Sequence, residues 1–165
     1  MRALLLLALA ANACVLAKDH VSTELQAICT EDVPLPFERT AAGRAVAEVE
    51  VEDVGASIDE PDAHATLDEV TLEASTGIDD FAFAEAMTMD LLTPGRDAAR
   101  VAELEPVPVA SPLSADGNRD VDLVDYLTAD QLAIRIVLTG DVPERGFLAT
   151  LSACIDVDGI VVEDE

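Results

Sequence analysis

The residues Asp116-Gly117-Asn118-Arg119-Asp120-Val121-Asp122 place side-chain oxygens at every second position, the spacing with which the first half of a calcium loop wraps a hard cation. Asp116, Asn118, Asp120 and Asp122 are therefore the candidate metal ligands. Two departures weaken the pattern: Val121 stands where a calcium loop needs glycine for its sharp turn, and Leu127 rather than glutamate fills the twelfth position. The plainer expectation is an Asp-Gly-Asn turn leading into a strand whose outward residues are acidic. Asp156-Val157-Asp158-Gly159 is a second acidic turn with a poorer pattern, and no cofactor is assigned.

Nucleophilic chemistry has little to draw on. Of the two histidines, His20 lies near the N-terminus and His64 in the Asp/Ala-rich stretch Glu60 to Ala65. A Ser-His-Asp arrangement would have to combine His64 with Ser57, Ser75, Ser111, Ser114 or Ser152, none of which sits in a nucleophile-elbow sequence. Paired carboxylates are too numerous to mark a general acid and base. No enzymatic activity is expected.

The three cysteines carry more information. Met1-Arg2, the apolar run Leu4 to Ala11 and then Asn12-Ala13-Cys14 form the positive start, short apolar segment and small-residue cut of an export signal, too short to span a bilayer as a helix. Ala11-Asn12-Ala13-Cys14 resembles a bacterial lipobox, although Ala11 replaces the usual leucine, and the resemblance implies lipidation at Cys14 and a membrane tether. Ala11-Asn12-Ala13 is equally an A-x-A cleavage site, and Val15-Leu16-Ala17 offers another, which would give a free secreted protein. Lipidation, or cleavage after Ala17, accounts for Cys14 and leaves Cys29 and Cys154 as the expected disulfide of an oxidising compartment. Val15 is not the aspartate that resembles an inner-membrane retention signal. The expected location is thus a bacterial outer membrane or cell surface as a lipoprotein, and otherwise the periplasm or the medium.

Charge narrows the partners. Nine Lys plus Arg stand against 34 Asp plus Glu, a formal net charge of −25. Such a field repels nucleic acid and disfavours close approach to anionic lipid headgroups. The acids are spread along the chain, as on a solvated surface suited to salty surroundings, rather than gathered in one cation-collecting block. With no Trp, one Tyr and four Phe, the chain also lacks the exposed aromatic platforms on which sugar recognition commonly relies, so sugar binding is not expected.

The elements that must position these groups read as strands. Residues 15 to 43 look like a leader, with Val33-Pro34-Leu35-Pro36-Phe37 held extended by its prolines. After Gly43, period-two alternation marks strands over residues 45–52, 67–74 and 81–91. Others are expected over 100–104, 107–110, 121–126, 132–139 and 147–157, with one helical turn possible at Thr128-Ala129-Asp130-Gln131. Roughly eight short strands without a long amphipathic helix argue for an antiparallel β-sandwich. The division is residues 1–13 signal peptide, 14–43 lipid-anchor or leader segment, and 44–165 β-sandwich domain.

Thr71-Leu72-Glu73-Ala74, Gly77-Ile78-Asp79-Asp80-Phe81, and Val121-Asp122-Leu123-Val124-Asp125-Tyr126-Leu127 leading into Ile134 to Gly140 resemble a group of uncharacterised exported bacterial proteins. That resemblance, over residues 43 to 158, implies an immunoglobulin-like sandwich and, for several members, a lipid anchor. It carries over no functional residue. The resulting expectation is a non-enzymatic, surface-displayed domain with a structural role or an unidentified protein partner, and calcium-dependent adhesion or ligand binding as the alternative.

Overall fold

The computed structural model describes residues 26–51, 57–58, 63–129, 131–158 and 161–162. The residues expected to form a signal peptide, with Cys14 and His20, lie outside them. The described residues are all-β apart from one turn of helix. Its elements are β1 (Gln26–Arg39), β2 (Ala45–Val51), β3 (Ser57–Ile58), β4 (His64–Thr76), β5 (Ala84–Leu92), β6 (Ala99–Leu104), β7 (Leu113–Asp116), α1 (Val124–Leu127), β8 (Leu132–Gly140), β9 (Phe147–Asp158) and β10 (Val161–Val162).

Eight strands form one antiparallel sheet in the order β6-β5-β8-β2-β1-β9-β4-β7, and β3 pairs with β10 in a separate two-stranded sheet. The pairing is nested about the loop that follows Leu92. β5 pairs with β6, β4 with β7, β2 with β8 and β1 with β9. The layers β1-β9-β4-β7 and β2-β8-β5-β6 face one another and meet at two seams. At the first, β1 and β2 share only the pairs Glu38↔Val46 and Arg39↔Ala45. At the second, Ala102 bridges to Gly117, and the Asn118 amide donates to the Val101 carbonyl at 2.7 Å. The sheet is thereby rolled nearly into a barrel.

This winding, two Greek keys in eight strands, is that of a jelly roll. It departs from the immunoglobulin order expected above, in which strands A, B, E and D face C, F and G. Alternation and turn spacing report how many strands there are, whereas the order depends on long-range pairs such as β1 with β9.

Alternation does the packing. Leu35 and Phe37 of β1, Val70 and Leu72 of β4, and Ala149 and Leu151 of β9 turn inward against Met87, Met89, Ile136 and Leu138 of the other layer. Two bulges reset the alternation. Between Leu67 and Glu69 the register slips at Asp68, so Leu67 and Val70 both face the core. Between Ala84 and Ala86 it slips again, which places Ala84 and Met87 inside. That is why the run read as a strand from Phe81 begins at Ala84 instead: Phe81 is buried from the preceding turn. All four phenylalanines form one cluster, with ring centroids 4.8 Å apart for Phe37 and Phe147, 5.4 Å for Phe83 and Phe147, and 6.2 Å for Phe81 and Phe83.

Three other strand assignments need correction. The segment read as leader up to residue 43 contributes β1, paired with β9 along ten positions, so the folded unit does not start at residue 44. The two prolines that suggested an extended leader are compatible with pairing because a proline can sit where its missing N–H faces away from the ladder. The strand expected at 107–110 is a loop, and the strand lies at Leu113–Asp116. The strand expected at 121–126 is a turn followed by α1, whose N-cap Leu123 and last residue Leu127 are buried four residues apart, the spacing of one helical turn rather than of a strand.

Candidate functional site

The Asp116–Asp122 segment ends β7 and runs into α1, and the side-chain oxygens of Asn118 and Asp122 are occupied along the way. Asn118 Oδ1 accepts from the Asp120 amide at 3.2 Å, and its Nδ2 donates to the Arg100 carbonyl at 3.4 Å. Asp122 Oδ1 accepts from the amides of Ala65 at 3.2 Å and Val124 at 3.1 Å, while its Oδ2 lies 3.0 Å from His64 Nδ1. Asp116 is an exposed residue of β7 opposite Glu69. Among the described residues no three His, Cys, Asp or Glu side chains gather as a metal site. Asp122 instead fastens the start of β4 to the turn that opens α1.

Partial burial pushes the Asp122 carboxyl up, but the Val124 amide, His64 and the Ala65 amide outweigh it and hold the group below the ordinary aspartate range. A lowered folded-state value means that the stabilisation is present above the unfolded value of about 3.9 and is lost as pH falls through the folded one. Asp122→Ala should therefore cost about 1–2 kcal/mol at neutral pH. Thermal unfolding of the two proteins should converge by about pH 2, and a gap that persists undiminished there would contradict this role.

His64 and Asp122 supply two thirds of a triad geometry but no nucleophile. Ser111 Oγ accepts from the Ala74 amide at 2.9 Å, and Ser114 Oγ pairs with Thr71 Oγ1 at 3.3 Å, both further along β4 from His64. Among the described residues no serine is bonded to His64.

Cys29 and Cys154 form the disulfide, with Cα atoms 4.1 Å apart and a separation of 125 positions in the chain. They are direct partners in the β1–β9 register. Because Ala153 and Leu151 face the core, Cys154 faces outward, and the bridge lies on the outer surface of its layer. A cup of about 180 Å³ surrounds it, lined by Thr30, Asp32, Glu69, Thr71 and Ser152.

The outer surface of the other layer carries an ordered row of charge. Glu48, Arg135, Asp90 and Arg100 are successive cross-strand partners on β2, β8, β5 and β6. Arg135 Nε donates to Glu48 at 2.8 Å, and Arg100 Nε donates to Asp90. Opposite charges set directly across a sheet favour its register, so two of the few cations serve the strand pairing.

Next to that row is a half-open cleft of about 660 Å³, whose lining includes Glu50, Leu92, Arg96, Gln131, Ala133 and Arg135. Its wall is the loop after β5, which is tied at three points. The buried Thr93 hydroxyl donates to the Gln131 carbonyl at 2.7 Å, Arg96 Nη1 donates to Asp125 Oδ2 at 2.6 Å, and the Tyr126 hydroxyl donates to the Asp97 carbonyl at 2.9 Å. The chain matches no protein-family model, no curated protein and no solved structure. The cleft is thus read from its own chemistry: an apolar floor of Leu92 and Ala133, two guanidinium groups, an amide and a carboxylate. Each arginine spends one donor group on its carboxylate partner and retains others. Sequence reading missed this site because its residues come from three distant segments with no local motif. The singular Tyr126 was the available signal, and its hydroxyl bond to the cleft wall gives it a positioning role.

Proposed function

We propose that this chain is a non-enzymatic cell-envelope domain, exported and tethered to a membrane by a lipid on Cys14, with a structural or protein-interaction role. The observation that carries the reading is the Cys29–Cys154 disulfide on the outer surface, a bridge of the kind that forms and persists in oxidising compartments. The export signal and lipobox-like Cys14 agree with that compartment. The acidic surface supports a protein partner over nucleic acid or bare anionic lipid. Polar groups that might have served catalysis, His64 and Asp122 among them, are engaged in fastening strands to turns.

The test is fractionation of a bacterium expressing the full chain. The protein should sediment with membranes and incorporate a fatty-acid probe. Cys14→Ala, or inhibition of lipoprotein signal peptidase, should abolish that labelling and release the protein. Labelling that survives Cys14→Ala would remove the lipid anchor from the proposal.

A further inference from the structure

We propose that the cleft between β2, β8 and the loop after β5 binds a short zwitterionic peptide, with its ammonium end at Glu50, its carboxylate end at Arg96 and Arg135, and an apolar side chain over Leu92 and Ala133. This names the chemistry of what the interaction reading above would bind, but it does not depend on lipidation.

Size and shape permit it, because about 660 Å³ is within the range of sites that hold small ligands. The three ties on the cleft wall matter more. Thr93, Arg96 and Tyr126 anchor one short loop to two other segments, and a wall fixed before binding avoids the ordering cost that an exposed loop would otherwise impose.

The charge pattern selects the ligand. A purely anionic ligand would have to approach a protein of net charge −25, and a purely cationic one would meet two guanidinium groups on arrival. A ligand with both charges meets neither obstacle. Its positive end follows the field to Glu50, which lies on β2 opposite Ala133 and forms no hydrogen bond or ion pair among the described residues. Its negative end receives the donors that Arg96 and Arg135 retain beyond those given to Asp125 and Glu48. No aromatic ring lines the cleft, so a sugar would find no stacking platform.

The experiment uses the purified exported protein and three probes: the tripeptide Ala-Leu-Ala, its N-acetyl form and its C-terminal amide, followed by calorimetry and by backbone NMR shifts. Ala-Leu-Ala should bind saturably in about 0.15 M salt, with the largest shifts at residues 92–96 and 131–135. Each cap should weaken binding at least tenfold. In Glu50→Gln the acetyl cap should cost nothing further, since the substitution already removes the partner that the cap removes, and in Arg96→Gln the amide cap should cost clearly less than in the unaltered protein, since only Arg135 then meets the carboxylate. Arg96 lies in the loop and outside the cross-strand charge row, so Arg96→Gln leaves the sheet pairing intact. Absence of saturable binding would overturn the proposal, as would affinity indifferent to the caps or cap losses unchanged in the variants. Any of these results would leave the membrane-tether reading standing, because that is tested by labelling at Cys14.

Discussion

Gly117→Ala should lower stability by about 3 kcal/mol, which for a domain of this size corresponds to a fall in Tm of about 6–12 °C. A Cβ at that position would stand 1.8 Å from the Leu67 carbonyl oxygen and 2.4 Å from its carbon. The obstacle is backbone, so a side-chain rotation cannot relieve it. Gly117 is also where the second seam closes: its amide donates to the Asp68 carbonyl at 2.8 Å, and it bridges to Ala102. The bulge at Asp68, the close approach of Gly117 and the closure of the roll are one arrangement, and a single methyl group disturbs all three. Differential scanning calorimetry is the direct measurement. A change of less than about 1 kcal/mol, the scale of an ordinary surface substitution, would mean that the seam is not held as described.

Cys29→Ser should cost about 4–5 kcal/mol, the larger share through the unfolded chain, because the bridge closes a loop of more than a hundred residues. The native circular-dichroism spectrum should be retained, since the ten register pairs between β1 and β9 remain. In urea the midpoint should fall while the m-value rises, because a chain without the cross-link exposes more surface on unfolding. A fall in midpoint with no change in m-value would locate the effect in the folded state instead. Non-reducing mass spectrometry of the exported protein should recover the peptide joining Cys29 to Cys154, and two free thiols in that material would contradict the assignment.

Much of the fold was legible in the sequence where a single period reports it. The strands expected over residues 45–52, 132–139 and 147–157 are present to within one residue at their ends, and the disulfide followed from counting cysteines. What local pattern cannot carry is pairing. β1 was hidden because prolines usually exclude a sheet, and their tolerance depends on which edge they face, a property of the neighbours. α1 was read as a strand because Val121, Leu123 and Asp122 alternate, while the deciding contact, Leu123 with Leu127 in the core, spans four residues. The calcium-like spacing at Asp116 to Asp122 was visible, but the carboxylate of Asp122, its last member, meets partners from residues 64 and 65 that lie far away in the chain. The cleft left no trace because Glu50, Arg96 and Arg135 converge only through the nested winding.

The two prolines of β1 have a consequence for crowding. β1 is laddered to β9 on one side, but on the other, among the described residues, it pairs with β2 only at Glu38 and Arg39, so most of that side is an unpaired sheet margin. Pro34 and Pro36 are two apart and so present their donorless nitrogens along the same margin. A strand from a neighbouring molecule arriving there would find no N–H at two successive docking positions and could not extend the sheet. Copies of such a molecule held side by side cannot zip together along this margin.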